Sequence, residues 1–148
     1  MKKIVLLCIV LCSMAYYTPS TVYAYSKVDT IQDMVRIVRS HKDKVVILAI
    51  FASFCPPCKE EVPLLNSLHK EFGERAIIQG LSLDEDLNAL NTFIKETKPQ
   101  YPIALLSHTI MQDIGVGIIP QLLIYKNGML IKHVVGLIPH EELVKYIQ

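Results

Sequence analysis

The sequence contains no tryptophan and only four cysteines in 148 residues. It also lacks an excess of charge of either sign, since 15 lysines and arginines are balanced by 14 aspartates and glutamates. Nucleic-acid-binding proteins normally show a basic excess or stripe, so no nucleic-acid partner is expected. Apolar residues make up 51% and charged residues 20% of the chain, which excludes a disordered tail and a coiled coil. Length and composition therefore predict one folded domain.

The N-terminal apolar run is too short to be a typical membrane-spanning helix. Ile4–Ala15 is uncharged, largely apolar and twelve residues long, and it would span about 18 Å as a helix, against roughly 30 Å of hydrocarbon. Two lysines precede it, and the Val-Tyr-Ala sequence at 22–24 fits the small-residue rule for signal cleavage before Tyr25. Residues 1–24 are therefore predicted to be a signal peptide, with an uncleaved membrane anchor as the alternative. The expected location is periplasmic or otherwise extracytoplasmic, with tethering to the inner membrane if the segment is not cut.

The predicted mature domain, residues 25–148, keeps 13 basic and 14 acidic residues, which gives a net charge of −1. It retains two of the four cysteines, Cys55 and Cys58. An exported domain with a single, closely spaced cysteine pair is not a disulfide-stapled scaffold, which would use several distant pairs. No internal repeat, low-complexity stretch or Gly/Ser linker divides it, so one domain is expected.

Hydrophobic periodicity predicts an α/β sandwich. The near-continuous apolar run Val45–Phe51 is typical of a strand buried on both faces, as in a sheet covered by helices. The first half of the domain is predicted to contain a helix over 29–40, the strand 45–51, a helix to about Phe72 with Pro63 as a kink and Gly73 at its end, and a strand over 76–83. A helix over 87–96 with Leu87, Leu90 and Ile94 inward, an apolar run over 103–106 and a short helix over 108–114 ended by Gly115 are expected to follow. The last third is predicted to form a hairpin of strands 121–125 and 129–135 that turns at Asn127-Gly128, and then a helix from Pro139 that packs through Leu143, Val144 and Ile147.

Cys55-Pro56-Pro57-Cys58 lies where the buried strand is predicted to end and a helix to begin. The first turn of a helix brings two residues at this spacing within the distance of about 4.4–6.8 Å between Cα atoms that a disulfide needs. The first sulfur then lies at the helix N-terminus, whose partial positive charge favours the reactive thiolate. The two prolines remove N–H donors and stiffen the loop. We therefore expect Cys55 to be the exposed nucleophile and Cys58 the resolving thiol.

Other uses of the cysteine pair have to be weighed. A structural disulfide between such close cysteines would close a tiny loop and add little stability. A zinc site would need further ligands, but the mature chain has no other cysteine and its five histidines show no paired ligand spacing. Haem attachment would require histidine directly after Cys58, where Lys59 stands. Redox chemistry without a metal or a diffusible cofactor is therefore favoured.

Glu61 follows Cys58 by three residues and so shares its face of the predicted helix. A partly buried carboxylate there could accept and return the proton of Cys58 while a mixed disulfide is resolved. The alternative is an ordinary first-turn acid that complements the helix dipole, as Glu60 is expected to be. The spacing alone favours neither interpretation.

The segment Phe51–Pro63, with the sequence FASFCPPCKEEVP, resembles the active-site segment of thioredoxin-fold oxidoreductases. Its pattern is most similar to the TlpA/ResA/DsbE branch of exported, often membrane-tethered thiol-disulfide proteins. Residues 118–121, Ile-Ile-Pro-Gln, are similar to the family's cis-proline loop, and a hairpin and Gly136 follow them. The resemblance extends from about Val45 to the C-terminus. The segment 84–120 is longer than in thioredoxin by roughly one helix and one strand, which is the insertion of this branch.

This resemblance implies a thioredoxin-like fold, a central mixed β-sheet flanked by helices, with a TlpA/ResA-type helix-strand insertion. It implies a cis bond before Pro120, where proline statistics alone would favour trans. The cis bond would turn the Ile119 backbone toward the disulfide, where it can pair with a substrate strand. The resemblance also implies that Glu61 is the active-site glutamate of the branch, whereas Ala49 stands where thioredoxin has a buried aspartate. The residues expected to contact substrate are Phe54, Pro56, Pro57, Ile119 and Pro120.

The chain departs from the branch in two places. Phe54 replaces the usual tryptophan before the first cysteine, and Phe51 replaces another frequent tryptophan. Phenylalanine keeps an apolar platform but loses the indole N–H. Gln121-Leu122 follows Pro120 where the branch often has two threonines. This second departure bears on partner specificity more than on the chemistry.

The sequence thus predicts an exported thiol-disulfide oxidoreductase that acts on protein disulfides or thiols. The resemblance implies a reductase, with apocytochrome c cysteines as one substrate class and a membrane electron-transfer protein as redox partner. One alternative is a disulfide-forming oxidant of the DsbA type, although this chain is too short for DsbA's large helical insertion. The other is a dithiol copper-delivery protein, although the three methionines of the mature domain are not clustered. A monomer is expected.

Overall fold

The computed structural model describes residues 24–115 and 117–148, and within them strands and helices alternate before a hairpin and a last helix. The strands are β1 (Ser26–Val28), β2 (Val45–Phe51), β3 (Ala76–Ser82), β4 (Ile103–Leu106), β5 (Gln121–Lys126) and β6 (Met129–Val135). The helices are α1 (Ile31–Ser40), α2 (Pro56–Phe72), α3 (Leu87–Thr97), α4 (His108–Asp113) and α5 (His140–Ile147). The strands form one mixed sheet in the order β1-β4-β3-β2-β5-β6. In this order, the first four strands, β1, β4, β3 and β2, pair in parallel. The strand β5 pairs antiparallel with both β2 and β6, and it forms a hairpin with β6.

The predicted signal peptide lies outside the described residues, apart from Ala24. Tyr25, the first residue after the predicted cleavage position, belongs to the fold, because its hydroxyl donates to Oδ1 of Asn91 in α3 at 2.5 Å. No helix within the two described ranges is both long enough and apolar enough to cross a membrane.

All seven residues of β2 are buried, as the apolar run predicts. Successive side chains of a strand point to opposite faces, so β2 supplies the core on both sides of the sheet. Ile47 and Ala49 pack in a cluster with residues of α2 and α5. Leu48 and Ile50 pack in a second cluster with residues of α1. The strand is therefore the centre of the core, and its C-terminal end carries the cysteine pair.

The segment between β3 and β5 contains two helices, α3 and α4, with the strand β4 between them, in the order that the sequence pattern predicts. The strand β4 pairs in parallel with both β3 and β1, and so extends the sheet on the side away from the hairpin. Sequence analysis did not find β1. Its three residues are too few to show a periodicity, and pairing with residues 104–106 is what holds them extended.

The inward face of α3 differs from the prediction. Leu90 is buried and Ile94 packs on the core, but Leu87 is 44% exposed. Phe93 is buried instead, and its ring stacks on that of Phe51 with centroids 5.0 Å apart. Leu87 is the first residue of the helix, beyond the end of the buried stripe, so its helical spacing does not bring it into the core.

Two glycines mark turns for different reasons. Gly73 follows the last residue of α2 with φ −55°, so it is right-handed and does not form the left-handed cap that glycine often provides. A Cβ there would lie 2.7 Å from the carbonyl oxygen of His69, so the close approach requires glycine. Gly128 has φ +78° beside Asn127 at +55°, the two left-handed residues that a two-residue hairpin needs. The predicted hairpin is confirmed.

Candidate active site

Cys55 and Cys58 form a disulfide with their Cα atoms 5.3 Å apart. Cys55 is the N-cap of α2, and its Sγ accepts a hydrogen bond from the backbone N–H of Cys58 at 3.2 Å. Pro56 and Pro57 occupy the first two positions of the helix and have no N–H to donate. The first N–H of α2 is thus that of Cys58, which is shared between the Cys55 carbonyl oxygen at 3.1 Å and the Cys55 sulfur. The positive end of the helix favours negative charge on this sulfur.

The exposure of Cys55 differs from the prediction. Cys55 is only 6% exposed and Cys58 only 1%, so the expected exposed nucleophile is nearly buried, although it is still the more accessible of the two. Both sulfurs lie in an apolar cluster, against which Ile119 packs from the opposite loop. This cluster consists of Phe51, Cys55, Cys58, Val62, Leu90 and Phe93.

Glu61 is buried on α2 with 2% exposure, and its Oε1 has no hydrogen-bond partner among the described residues. Burial in apolar surroundings raises the pKa of this carboxyl from its usual 4.5 to about 8. Since α2 begins at Pro56, Glu61 lies beyond the first turn, which contains no acid. The interpretation of Glu61 as an ordinary dipole-complementing acid is therefore not supported by its position.

The Tyr101 hydroxyl interacts electrostatically with the Glu61 carboxyl. Burial raises the pKa of the Tyr101 hydroxyl, and a negative charge on Glu61 raises it further. Tyr101 packs in the cluster that also holds Ala49, the residue at the place of thioredoxin's buried aspartate. Among the described residues, Glu61 is the acid that joins Ser82 and Gln121 in the set of buried polar side chains.

Asp84 anchors the loop before Cys55, a role that sequence analysis missed. Its carboxylate accepts from the Ser53 N–H at 2.9 Å, from the Ser53 hydroxyl at 2.5 Å and from the Ser82 hydroxyl at 2.7 Å. Ser53 follows β2 and Asp84 follows β3, and these parallel strands pair with Phe51 opposite Ser82. The sequence does contain an indication of this contact, because Ser53 and Asp84 each follow a predicted strand, and two parallel strands end at the same edge of a sheet.

The cis-proline loop, residues Ile118–Pro120, faces the cysteine pair. The bond between Ile119 and Pro120 is cis, as the resemblance implies. Ile119 packs against the cluster of the two cysteines, and Pro120 is buried. Phe54 and Ile118 are 76% and 67% exposed. Of the residues predicted to contact substrate, the fold therefore brings Ile119 to the disulfide, while Phe54 and Pro56 adjoin it in sequence and lie open to solvent.

No three histidine, cysteine, aspartate or glutamate side chains gather as a metal-binding group in the described residues. The chemistry available at this end of the sheet is that of a dithiol, a buried carboxyl and a loop with exposed apolar side chains.

The sequence model of the AhpC/TSA family matches residues 26–135, a span that includes the disulfide, Glu61, Asp84 and Pro120. The chain belongs to the AhpC/TSA family. This AhpC/TSA chain is similar to the thiol-disulfide oxidoreductase ResA of a Bacillus cereus strain, with 32% identity over 110 residues. The match covers 72% of the chain but only 64% of that ResA. The resemblance to the ResA-containing branch is thereby supported.

Solved structures confirm the fold of this AhpC/TSA chain. StoA from Bacillus subtilis superposes with a TM-score of 0.63 at 24% identity, over 73% of this chain and 85% of StoA. The thioredoxin domain of the thiol-disulfide oxidoreductase BVU-2223 from Bacteroides vulgatus gives a TM-score of 0.65 at 18% identity, over 75% of this chain and 84% of that domain. At these identities the similarity establishes a thioredoxin-like fold and nothing finer.

Proposed function

We propose that this AhpC/TSA protein is a thiol-disulfide oxidoreductase whose redox centre is the Cys55–Cys58 pair. The observation that carries the proposal is the position of the pair, at the N-terminus of α2 with Ile119 of the cis-proline loop packed against it. The similarity to the thiol-disulfide oxidoreductase ResA supports the same chemistry. A structural disulfide would not need a helix amide directed at one sulfur, nor an unpartnered carboxyl three residues further along the helix.

In the reducing direction, the Cys55 thiolate attacks one sulfur of a substrate disulfide. A mixed disulfide forms between Cys55 and the substrate, and the other substrate sulfur leaves and takes a proton. Cys58 then gives its proton to the Glu61 carboxylate and attacks Sγ of Cys55, which closes the Cys55–Cys58 disulfide and releases the second substrate sulfur as a thiolate that takes a proton from solvent. Two electrons pass from the protein to the substrate, and an external dithiol donor returns the protein to its reduced form.

Glu61 fits the proton-transfer role because its pKa of about 8 lies near neutrality. General acid–base catalysis is most effective when the group titrates near the working pH. With the disulfide closed, the carboxyl is mainly protonated at pH 7, so it can return a proton to Cys58 as the disulfide is reopened. The ionised fraction, which is a minority at pH 7 and grows as pH rises through 8, is the carboxylate that accepts the proton of Cys58 during resolution.

Reduction is the proposed physiological direction, and it follows from the likeness to the TlpA/ResA/DsbE branch. The same likeness suggests apocytochrome c cysteines as one substrate class and a membrane electron-transfer protein as the donor. Residues 25–148 are proposed to act as a monomer outside the cytoplasm after cleavage before Tyr25. Recovery of the mature protein from the extracytoplasmic fraction, with Tyr25 as its N-terminus, would support this placement.

The first experiment is the reduction potential of the Cys55–Cys58 pair, measured by equilibration in thiol buffers of known poise. A value near thioredoxin's, about −270 mV, is expected for a reductase. A value near DsbA's, about −120 mV, would mean a donor of disulfides and would overturn the proposed direction.

Trapping the intermediate tests the roles of the two cysteines. The Cys58→Ala variant is expected to accumulate a mixed disulfide through Cys55, because the resolving thiol is missing. The Cys55→Ala variant is expected to form none and to lose exchange activity. Retained exchange by Cys55→Ala would contradict the proposed function.

A further inference from the structure

A chain of two hydrogen bonds connects β6 to the cis-proline loop. Nε2 of His133 lies 2.8 Å from Oε1 of Gln121, and Nε2 of Gln121 lies 2.6 Å from the carbonyl oxygen of Ile118. His133 is opposite Leu123 in the sheet, so Gln121 is its diagonal neighbour on the same face. Gln121 is 2% exposed, so its amide is held between these two partners away from solvent.

The direction of both hydrogen bonds follows from which groups can donate. A peptide carbonyl only accepts, so the Gln121 atom beside Ile118 has to be its NH₂ group. The Gln121 atom beside His133 is then the amide oxygen, which also only accepts. His133 therefore holds a proton on Nε2 and donates it. The chain runs one way, from the His133 ring through Gln121 to the Ile118 carbonyl.

This arrangement sets the orientation of the Ile119 amide. The Ile118 carbonyl and the Ile119 N–H belong to one planar trans peptide unit, so they point in opposite directions. With the carbonyl held by Gln121, the N–H is directed away from Gln121. On the other side of Ile119, the Pro120 carbonyl accepts from the Gly136 N–H at 2.8 Å. No hydrogen bond within the described ranges uses the Ile119 N–H itself.

We propose that His133 and Gln121 are positioning residues that hold the Ile119 backbone ready to pair with an extended peptide strand beside the redox disulfide. The inference rests on the proposed function and adds two positioning residues to it. Disulfides in extended polypeptide segments are preferred over small-molecule disulfides, because only a polypeptide can add a strand to this loop. Phe54 and Ile118, both largely exposed near the disulfide, offer apolar contacts to the side chains of such a strand.

The test compares the full chain with its His133→Phe and Gln121→Met variants on two disulfides. Insulin is reduced in turnover with excess dithiothreitol as the electron donor, and 5,5′-dithiobis(2-nitrobenzoic acid) is reduced by the pre-reduced proteins without added dithiothreitol. Each variant keeps the size of the side chain but removes a hydrogen bond of the chain. The expected result is a rise of KM for insulin by about fivefold to tenfold, the upper value corresponding to about 1.4 kcal/mol. The kcat for insulin and the rate with the small disulfide are expected to stay within about twofold of the parent values.

Rescue and control variants separate positioning from general damage. His133→Gln places an amide N–H near the position of Nε2, and it is expected to return KM for insulin toward the parent value. His41→Phe makes the same substitution just beyond the last residue of α1, before β2 begins and so at the opposite end of that strand from the cysteines. His41→Phe is expected to leave KM and kcat for insulin and the rate with the small disulfide unchanged.

Equal losses on both disulfides, an unchanged KM for insulin, or no rescue by His133→Gln would each overturn the inference. If the parent chain reduces neither disulfide, the proposed function itself fails. The inference is then decided by the ¹H–¹⁵N resonance of the Ile119 amide, which needs no turnover. His133→Phe is expected to shift that resonance while His41→Phe does not, and equal spectra for His133→Phe and the parent would refute the positioning role.

Discussion

At the scale of single residues, Glu61 is a buried acid that is expected to make stability depend on pH. It is an acid with 2% exposure and an unpartnered oxygen, and burial raises its pKa to about 8. Between its usual pKa of 4.5 and this value, the folded protein keeps a proton that the unfolded chain releases. Stability therefore falls as pH rises from about 4.5 to about 8 and levels off above it.

Replacing Glu61 by glutamine should remove this pH dependence. At pH 4 the Glu61→Gln variant is expected to match the parent in free energy of unfolding, because the carboxyl is protonated in both states. By pH 8 the variant should be more stable than the parent by on the order of a few kcal/mol. The reason is that the unfolded parent gains free energy by releasing the Glu61 proton, whereas glutamine has no proton to release. Urea unfolding of the oxidised proteins at several pH values measures the difference.

Glu60→Gln is the matched control for this measurement, because Glu60 is exposed on the same helix. Its effect should be small and nearly independent of pH. A Glu61→Gln variant that is no more stable at pH 8 than at pH 4, relative to the parent, would contradict the raised pKa.

The Glu61→Gln variant should also slow resolution of the mixed disulfide by about 10²-fold, if Glu61 moves the Cys58 proton.

The place of Cys55 and Cys58 at the start of α2 could be predicted because it depends on local geometry. A CxxC spacing between a buried strand and a helix requires the two sulfurs to lie at the helix N-terminus, whatever the rest of the chain does. The exposure of Cys55 could not be predicted in this way, since Ile119, which packs against the cysteine cluster, is 64 positions further along the chain. Spacing alone likewise left Glu61 undecided, because burial is a property of the packed helix.

At the scale of elements, the ends of β2 and β3 are tied together by Asp84. The parallel pairing of Phe51 with Ser82 brings Ser53 within reach of the carboxylate, which accepts from both serines. This tie holds the chain two residues before Cys55, at the point where β2 passes into α2. It is therefore expected to matter both for stability and for the position of the nucleophile.

Asp84→Ala should destabilise the protein by about 1–3 kcal/mol, because it leaves part-buried donors of Ser53 and Ser82 without their acceptor. Exchange through Cys55 should also slow, since the loop before it is released. Chemical unfolding and the rate of reaction with a disulfide measure the two effects. Glu85→Ala, at the exposed next residue, is the control and should change neither by a comparable amount. Equal behaviour of the two variants would rule out the anchoring role.

Among the elements, those with strong local signals were predicted and the context-dependent ones were not. The buried run of β2 and the Asn127-Gly128 turn are confirmed, because a continuous apolar stretch and two left-handed residues allow few other structures. The short strand β1 was missed, because it is extended only by pairing with β4. The orientation of Leu87 was wrong because helical spacing gives a face but not where the neighbouring core ends.

At the scale of the whole molecule, the fold brings together residues that are distant in sequence. The antiparallel register of β2 with β5 pairs Ile50 with Gln121, so the end of one strand meets the start of the other. Cys55 and Pro120 follow and precede these residues, and so they lie at the same end of the sheet. The candidate site is thus a consequence of sheet order.

The predicted domain boundary can be tested at this scale. Residues 25–148 expressed alone are expected to unfold in a single transition, with a melting temperature within a few degrees of that of the full chain. The physical reason is that the fold already includes Tyr25, which donates to Asn91. Thermal unfolding followed by circular dichroism checks this. A second transition in the full chain, or a much lower melting temperature of 25–148, would contradict the boundary at Tyr25.

The sequence by itself determined the place of the Cys55–Cys58 pair at the start of a helix, the buried central strand, the hairpin and the resemblance that led to the cis-proline loop. Each depends on neighbouring residues, through helix and turn geometry or a contiguous motif. Only the tertiary structure decided that Cys55 is nearly buried, that Oε1 of Glu61 has no hydrogen-bond partner among the described residues, that Asp84 anchors the loop before Cys55, and that His133 reaches the Ile118 carbonyl through Gln121. These depend on strand order and register, which local patterns do not encode because they arise when distant segments pack against one another.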